Sequence, residues 1–255
     1  MSLDWNNPTQ RNAFLDLHSG NPREGPGDFQ SAERAYIAAK KALGGEVKTI
    51  LDLACGPGMQ TQHLAQLDPK AKITALDIHP VFVERVNKWC QEHGLSDRVT
   101  AVVGDMNQLD VDAGSQDLIW CEGAVYMLGV EAALAKWRPL LRSGGCVAFT
   151  EPVFLSDKLP DAVVENWEEY PVMTDVAGVT ELLLNTGYDL VESFVLPDNA
   201  WAEYYEPLQR RVDALRPKYA SVPDAALVIE EGQSEIDAWR NYGEHFSYAF
   251  FVVKS

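Results

Sequence analysis

The sequence predicts an α/β fold with a doubly wound, mostly parallel sheet. Three observations carry this. Short apolar runs suited to strands alternate with helical patterns from residue 49 to residue 150. The first run, Ile50, Leu51 and Leu53, passes through Gly56-Pro57-Gly58 straight into a helical stretch. That strand, glycine turn and helix open a nucleotide-binding βαβ unit. Finally, the next apolar run, 73–76, ends in Asp77, about 20 residues past the turn, where such units place a ribose-binding acid.

Taken in order, residues 1–29 are rich in Asn, Pro and Gly and read as a loop, with Phe14, Leu15, Leu17 and Gly25 as candidate lid residues. A helix is expected over 31–43, capped by Asp28 or Ser31 and stopped by Gly44-Gly45. Strands are expected at 49–53, 73–76, 99–103, 117–121 and 146–150. Helices fall between them at 59–67, along Val81, Val83, Val86, Trp89 and Cys90, and at 131–141. Beyond Pro152 the alternation loosens. Helices are expected at 161–170 and 178–185, a strand at 190–196, helical patterns at 204–215 and 224–239, and a last strand at 248–253.

Composition narrows the function. The chain has 255 residues, enough for one domain with an insertion, and a net charge of -17. So acidic a chain argues against nucleic acid and other polyanionic partners. No apolar run reaches membrane-spanning length and no signal-peptide pattern opens the chain, so a cytoplasmic protein is expected. Cys55, Cys90, Cys121 and Cys146 form no C-x-x-C and read as buried small residues. The five histidines lack metal-ligand spacing, so no metal is expected.

Asp52 helps to identify the nucleotide. A dinucleotide puts its pyrophosphate at the turn, where a carboxylate repels it. S-adenosylmethionine (SAM) has no phosphate and carries an ammonium and a sulfonium, so an acid there suits it. Thr61 also replaces the third glycine of the dinucleotide G-x-G-x-x-G.

Four stretches in order resemble class I SAM-dependent methyltransferases. Asp52-Leu53-Ala54-Cys55-Gly56-Pro57-Gly58 is similar to their first motif, with Ala54 in place of its first glycine. Gly104-Asp105-Met106 is similar to the adenine-side motif, residues 117–122 to the fourth-strand motif, and residues 141–149 to the turn into strand five. The resemblance covers roughly residues 30 to 155. The run Trp120-Cys121-Glu122-Gly123-Ala124-Val125-Tyr126, together with Leu196-Pro197 and Trp201, looks like a bacterial small-molecule subgroup, distantly similar to the ubiquinone and menaquinone C-methyltransferases. It implies a Rossmann-like, seven-stranded sheet with an antiparallel last strand and a helical insertion before it. Residues 1–255 would then form one domain: an N-terminal lid and helix over 1–45, a SAM-binding core over 46–155, and a helical cap over 197–243.

The expected cofactor-binding residues are Asp52, Ala54, Gly56, Gly58, Asp77, Ile78, Asp105, Met106 and Glu122. Asp77 suits the ribose hydroxyls, and Asp105 with Met106 suits the adenine. Glu122 and Glu151 close strands four and five at the methyl-transfer edge and are the catalytic candidates, to orient the acceptor or take its proton. Glu122 also suits the methionine ammonium. Tyr126, Trp201 and Tyr204 are expected to wall the acceptor pocket. The expected function is methyl transfer from SAM to a small molecule by in-line displacement. The alternatives are an NAD(P)-dependent oxidoreductase and a non-catalytic SAM-binding regulator.

Overall fold

The structure, a computed structural model, describes residues 4–255. Residues 1–3 of the expected N-terminal segment lie outside the described residues. Seven strands form one sheet in the order β3-β2-β1-β4-β5-β7-β6. Strands β1 (Thr49–Leu53), β2 (Lys72–Asp77), β3 (Val99–Val103), β4 (Gln116–Cys121) and β5 (Leu141–Phe154) run parallel. Strand β7 (Phe246–Lys254) enters antiparallel between β5 and β6 (Asp189–Val195). The sheet is thus the Rossmann-like arrangement expected from the sequence, with its antiparallel last strand.

Strand β1 is buried on both faces, which its near-continuous apolar run allows. It lies at the switch of strand order, where chain connections depart in opposite directions and leave a crevice at the strands' carboxyl ends. Helices α3 (Met59–Leu67) and α4 (Pro80–Glu92) pack beside α2 (Phe29–Leu43) on one face. Helices α5 (Val130–Trp137) and α7 (Val176–Thr186) cover the other.

Several boundaries differ from the sequence reading, for local reasons. A helix α1 (Pro8–His18) stands where a loop is expected. The Asn7 side chain caps it, accepting from the backbone N–H of Thr9 and Gln10, and Pro8 supplies a preset φ in the first turn. Helix α2 begins at Phe29, two residues before the expected start, because Asp28 caps it by accepting from the Ser31 N–H at 2.8 Å. The helix expected at 131–141 ends at Trp137 and passes into a 3-10 turn at Pro139. The helix expected at 161–170 is only α6 (Asp161–Asn166). Strand β5 runs on through Pro152, since β7 pairs with it to Phe154 after β4 has ended. Helices α8 (Asp198–Tyr219) and α9 (Pro223–Tyr242) are longer than their apolar patterns and pack on each other and on α1.

Candidate active site

The segment between α1 and α2 lies directly over the carboxyl ends of β1 and β4. Arg85, on α4, pins it by donating to the Ser19 carbonyl at 2.9 Å and the Asn21 carbonyl at 2.5 Å. The Gly27 N–H donates to the Ala200 carbonyl at 3.0 Å, tying the segment to α8. Gly25 faces Gly123 so closely that a Cβ on either would contact the other's backbone. Between these ties the Glu24 side chain reaches the turn after β1, its Cγ within 3.6 Å of where a Gly56 Cβ would stand.

Asp77 organises that turn. Its Oδ2 accepts from the Gly56 N–H at 2.9 Å and its Oδ1 from the His79 N–H at 2.8 Å. The turn itself runs through left-handed backbone at Ala54 (φ 53), Gly56 (φ 52) and Gly58 (φ 98). Gly58 is a packing requirement, because a Cβ there would meet Val86 Cγ2 at 2.5 Å. Ala54 is the only non-glycine residue with positive φ among the described residues, so the residue that departs from the motif also carries its backbone strain.

Asp52 is fully buried. Its Oδ2 accepts from the Thr61 hydroxyl at 2.5 Å, while Oδ1 has no hydrogen-bond partner. Burial raises its pKa well above the usual carboxylate range, and the charges of Glu122 and Asp77 add to the rise against the Thr61 bond. Thr61, which the sequence shows only as a missing glycine, therefore holds this carboxyl in place.

Glu122 is also buried, and both its oxygens are engaged. Oε1 accepts from the Trp120 indole N–H at 2.8 Å and Oε2 from Arg23 Nη2 at 2.7 Å. Arg23 spends further donors on the Gly25 and Gly27 carbonyls. Burial raises the Glu122 pKa, opposed first by the Arg23 charge. Asp105 and Met106 lie after β3: Asp105 accepts from the Asn107 N–H at 2.7 Å, and Met106 is buried against the core. Ile78, beside Asp77, is 60% exposed at the rim.

Glu151, toward the end of β5, is buried and accepts from the Tyr170 hydroxyl through Oε1; Oε2 has no partner. Desolvation pushes its pKa up to about 7. Tyr126, in the 3-10 turn after β4, meets the Tyr170 ring edge-on at 5.8 Å. Tyr204 is buried on α8 against Tyr205. Trp201 lies deeper: its indole donates to Ser247 Oγ at 2.9 Å and stacks on Tyr205 and Trp239, which gives it the work of docking α8 on β7. Tyr205, Glu235 and Tyr248 complete this side. Tyr205 donates to Glu235 Oε1 at 3.1 Å.

The acidic groups fit SAM. Asp52 lies within electrostatic reach of Glu122 and Asp77, and Glu24 within reach of Asp77, which disfavours a diphosphate and suits a sulfonium and an ammonium. Asp52 Oδ1 is a buried acceptor without a donor. Residues 50–145 match the model of a family described as a methyltransferase domain. Residues 50–145 are thus similar to a methyltransferase domain.

Longer stretches of the chain match methyltransferases at low identity. A malonyl-[acyl-carrier protein] O-methyltransferase from Legionella pneumophila is 25% identical over 200 residues, which make up 77% of this chain and 64% of the relative. The chain thus spans less than two thirds of that relative's length. A sarcosine/dimethylglycine N-methyltransferase from Aphanothece halophytica is 24% identical over 217 residues, 80% of this chain and 74% of the relative. A solved SAM-dependent methyltransferase from Geobacter sulfurreducens, in complex with S-adenosylhomocysteine, superposes with a TM-score of 0.80 at 20% identity. That likeness covers 95% of this chain and 97% of the other, and it places the α8 and α9 region as well as the matched domain within one fold. Among the described residues, no helix is long and apolar enough to cross a membrane.

Proposed function

We propose that this protein transfers a methyl group from SAM to a small-molecule acceptor. The observation that carries the reading is the pairing of the Asp77-ordered glycine turn with buried, partnerless carboxyl oxygen on Asp52. A cationic, phosphate-free nucleoside satisfies both. Bound SAM supplies an electrophilic methyl on a sulfonium, so the residues' tasks are to position two reactants and exclude water.

Asp77 holds the ribose, with Asp105 and Met106 at the adenine. Glu122 and Asp52 hold the ammonium of the methionine half. Glu122 is a binder in this reading rather than a base, because both its oxygens already have donors. Glu151 is the better base: it has a free oxygen and a pKa near neutrality. The segment over 19–28 closes the crevice, with α8 and α9 as the cap of the acceptor side. A net charge of -17 disfavours polyanionic acceptors.

Incubation of the protein with SAM and fractionated cell metabolites, read by mass spectrometry, tests the reading. Appearance of S-adenosylhomocysteine together with one singly methylated metabolite supports it. NADH binding by fluorescence, with no such product, would move the assignment to an oxidoreductase. Binding of SAM without any methylated product would leave a regulator.

A further inference from the structure

Two consecutive residues of the segment over the crevice reach different strand ends. Arg23 donates to Glu122, after β4, at 2.7 Å. Glu24 lies on the glycine turn after β1. Its Cγ and Cβ stand 3.6 and 3.8 Å from where a Gly56 Cβ would be. Apart from the chain neighbours of Gly56, no other described residue comes within 4 Å of that point. The same Gly56 donates its N–H to Asp77 Oδ2 at 2.9 Å. Two carboxyl side chains thus meet at one glycine: Asp77 on its N–H, Glu24 against the face left open by the missing Cβ.

One Glu24 oxygen is held and the other is spare. Oε2 lies 2.5 Å from His18 Nδ1. His18 is itself held by Phe14, with ring centroids 4.1 Å apart and the rings stacked, so α1 fixes that oxygen. Arg85 pins the chain just before, at the Ser19 and Asn21 carbonyls. Oε1 is shielded from solvent and has no hydrogen-bond partner. A buried acceptor costs free energy until a donor arrives. Both Asp77 oxygens already accept from backbone, one from Gly56 and one from His79. Glu24 Oε1 is therefore the spare acceptor at this end of the turn.

We propose that Glu24 is a cofactor-binding residue carried on the segment over the crevice, its free Oε1 accepting from a ribose hydroxyl of the nucleoside that Asp77 holds. This rests on the methyl-transfer reading above and adds a residue from outside the glycine turn to it. Two carboxyls at one glycine suit a ligand with two adjacent donors, and the 2′ and 3′ hydroxyls of ribose are such a pair. An anionic group would be repelled by both carboxyls. The ammonium of the methionine half has Glu122 and Asp52 in that reading, and the segment sends Arg23, not Glu24, to Glu122. His18 acts through Glu24 as a positioning residue. The ribose then bridges the turn and the segment, so occupancy of the site and closure of the segment favour each other.

Calorimetric titration of the full chain with S-adenosylhomocysteine and with its 2′-deoxy and 3′-deoxy analogues tests this. Glu24→Ala is expected to weaken S-adenosylhomocysteine by about ten-fold or more, as for a hydrogen bond to a charged group. For one of the two deoxy analogues the same substitution should change little, because the hydroxyl that Glu24 accepts from is already gone. A Glu24 that only props up the segment would weaken all three ligands alike. Hydrogen exchange on the wild type needs no variant and decides the matter if Glu24→Ala fails to fold. There, S-adenosylhomocysteine should protect the amides of residues 19–28, and the same deoxy analogue should protect them less at equal saturation. Unchanged affinity in Glu24→Ala, equal weakening of all three ligands, or equal protection by all three overturns the proposal. If the wild type binds S-adenosylhomocysteine and Glu24→Ala binds it equally well, the Glu24 assignment alone falls. If the wild type does not bind it, the methyltransferase reading falls and this assignment with it.

Discussion

Arg23 and Glu122 form a buried ion pair at 2.7 Å, each side chain under 5% exposed, between the segment over the crevice and the end of β4. The pair ties that segment to the end of β4. Removing one partner leaves the other buried and uncompensated, which costs about 3–5 kcal/mol. Arg23→Ala is therefore expected to lower stability by an amount of that order in urea denaturation, and to weaken S-adenosylhomocysteine binding. Glu122→Gln keeps an acceptor for Trp120 and loses less. Equal, small losses in both variants would show that the pair is not holding the segment.

Ala54 occupies left-handed backbone at φ 53. That conformation costs an L-residue with a Cβ roughly 1–2 kcal/mol, against which the added chain entropy of glycine must be set. Ala54→Gly is expected to stabilise the fold by about 0.5–1 kcal/mol and leave cofactor affinity unchanged. Destabilisation on urea titration would mean that the turn is held by contacts of the methyl group.

Gly56 and Gly58 separate by function. A Cβ at Gly58 would lie 2.5 Å from Val86, whereas one at Gly56 meets only the flexible Glu24 chain at 3.6 Å. Gly58→Ala is expected to lose more stability than Gly56→Ala. Gly56→Val is expected to abolish cofactor binding in a protein that still folds. Retained binding in Gly56→Val would remove the turn from the ligand.

Glu151 gives a pH dependence of definite sign. Its pKa in the folded protein, about 7, lies above the ordinary 4.5, because burial penalises the carboxylate. Between these values the folded state binds more protons than the unfolded state, so stability falls as pH rises through the window. The loss is on the order of 3 kcal/mol at most. Wild type should therefore lose stability from pH 5 to pH 8, and Glu151→Gln should flatten that part of the profile. If Glu151 is the base, turnover rises over the same range as its carboxylate appears. An unchanged stability slope in Glu151→Gln would contradict the burial argument.

The core of the fold was legible because strands β1 to β4 carry apolar runs bounded by glycines and acids; β1, β2 and β4 bury theirs, while edge strand β3 leaves Val102 and Val103 exposed. That Asp52, Gly56 and Asp77 lie together was legible for the same reason: they stand at or just after the carboxyl ends of β1 and β2, and the Gly56 N–H donates to Asp77. The segment over the crevice was harder to read. Helix α1 has a weak apolar face, with Ala13 and Leu17 buried, so periodicity passed it by although Asn7-Pro8 marked its start. Arg23 sits in a Gly- and Pro-rich loop and gains its role only through a contact 99 positions away. Glu235 shares a helix with Glu230, Glu231 and Asp237 and reads as part of a solvated acidic face. Trp201 and Tyr204 are three positions apart on α8, yet the first docks the helix on Ser247 of β7 and the second packs on Tyr205. Which aromatic packs and which lines a site depends on how α8 is rotated against β7, and that is a tertiary property.

The most direct measurement is calorimetric titration of S-adenosylhomocysteine into the wild-type chain and into Asp77→Ala. Micromolar binding is predicted for the wild type. Loss of the Asp77 carboxylate removes charge-assisted hydrogen bonds worth about 1.5–3 kcal/mol, so the variant should bind roughly ten-fold to a hundred-fold more weakly. No heat of binding with the wild type, or identical affinities for the two proteins, would contradict the account.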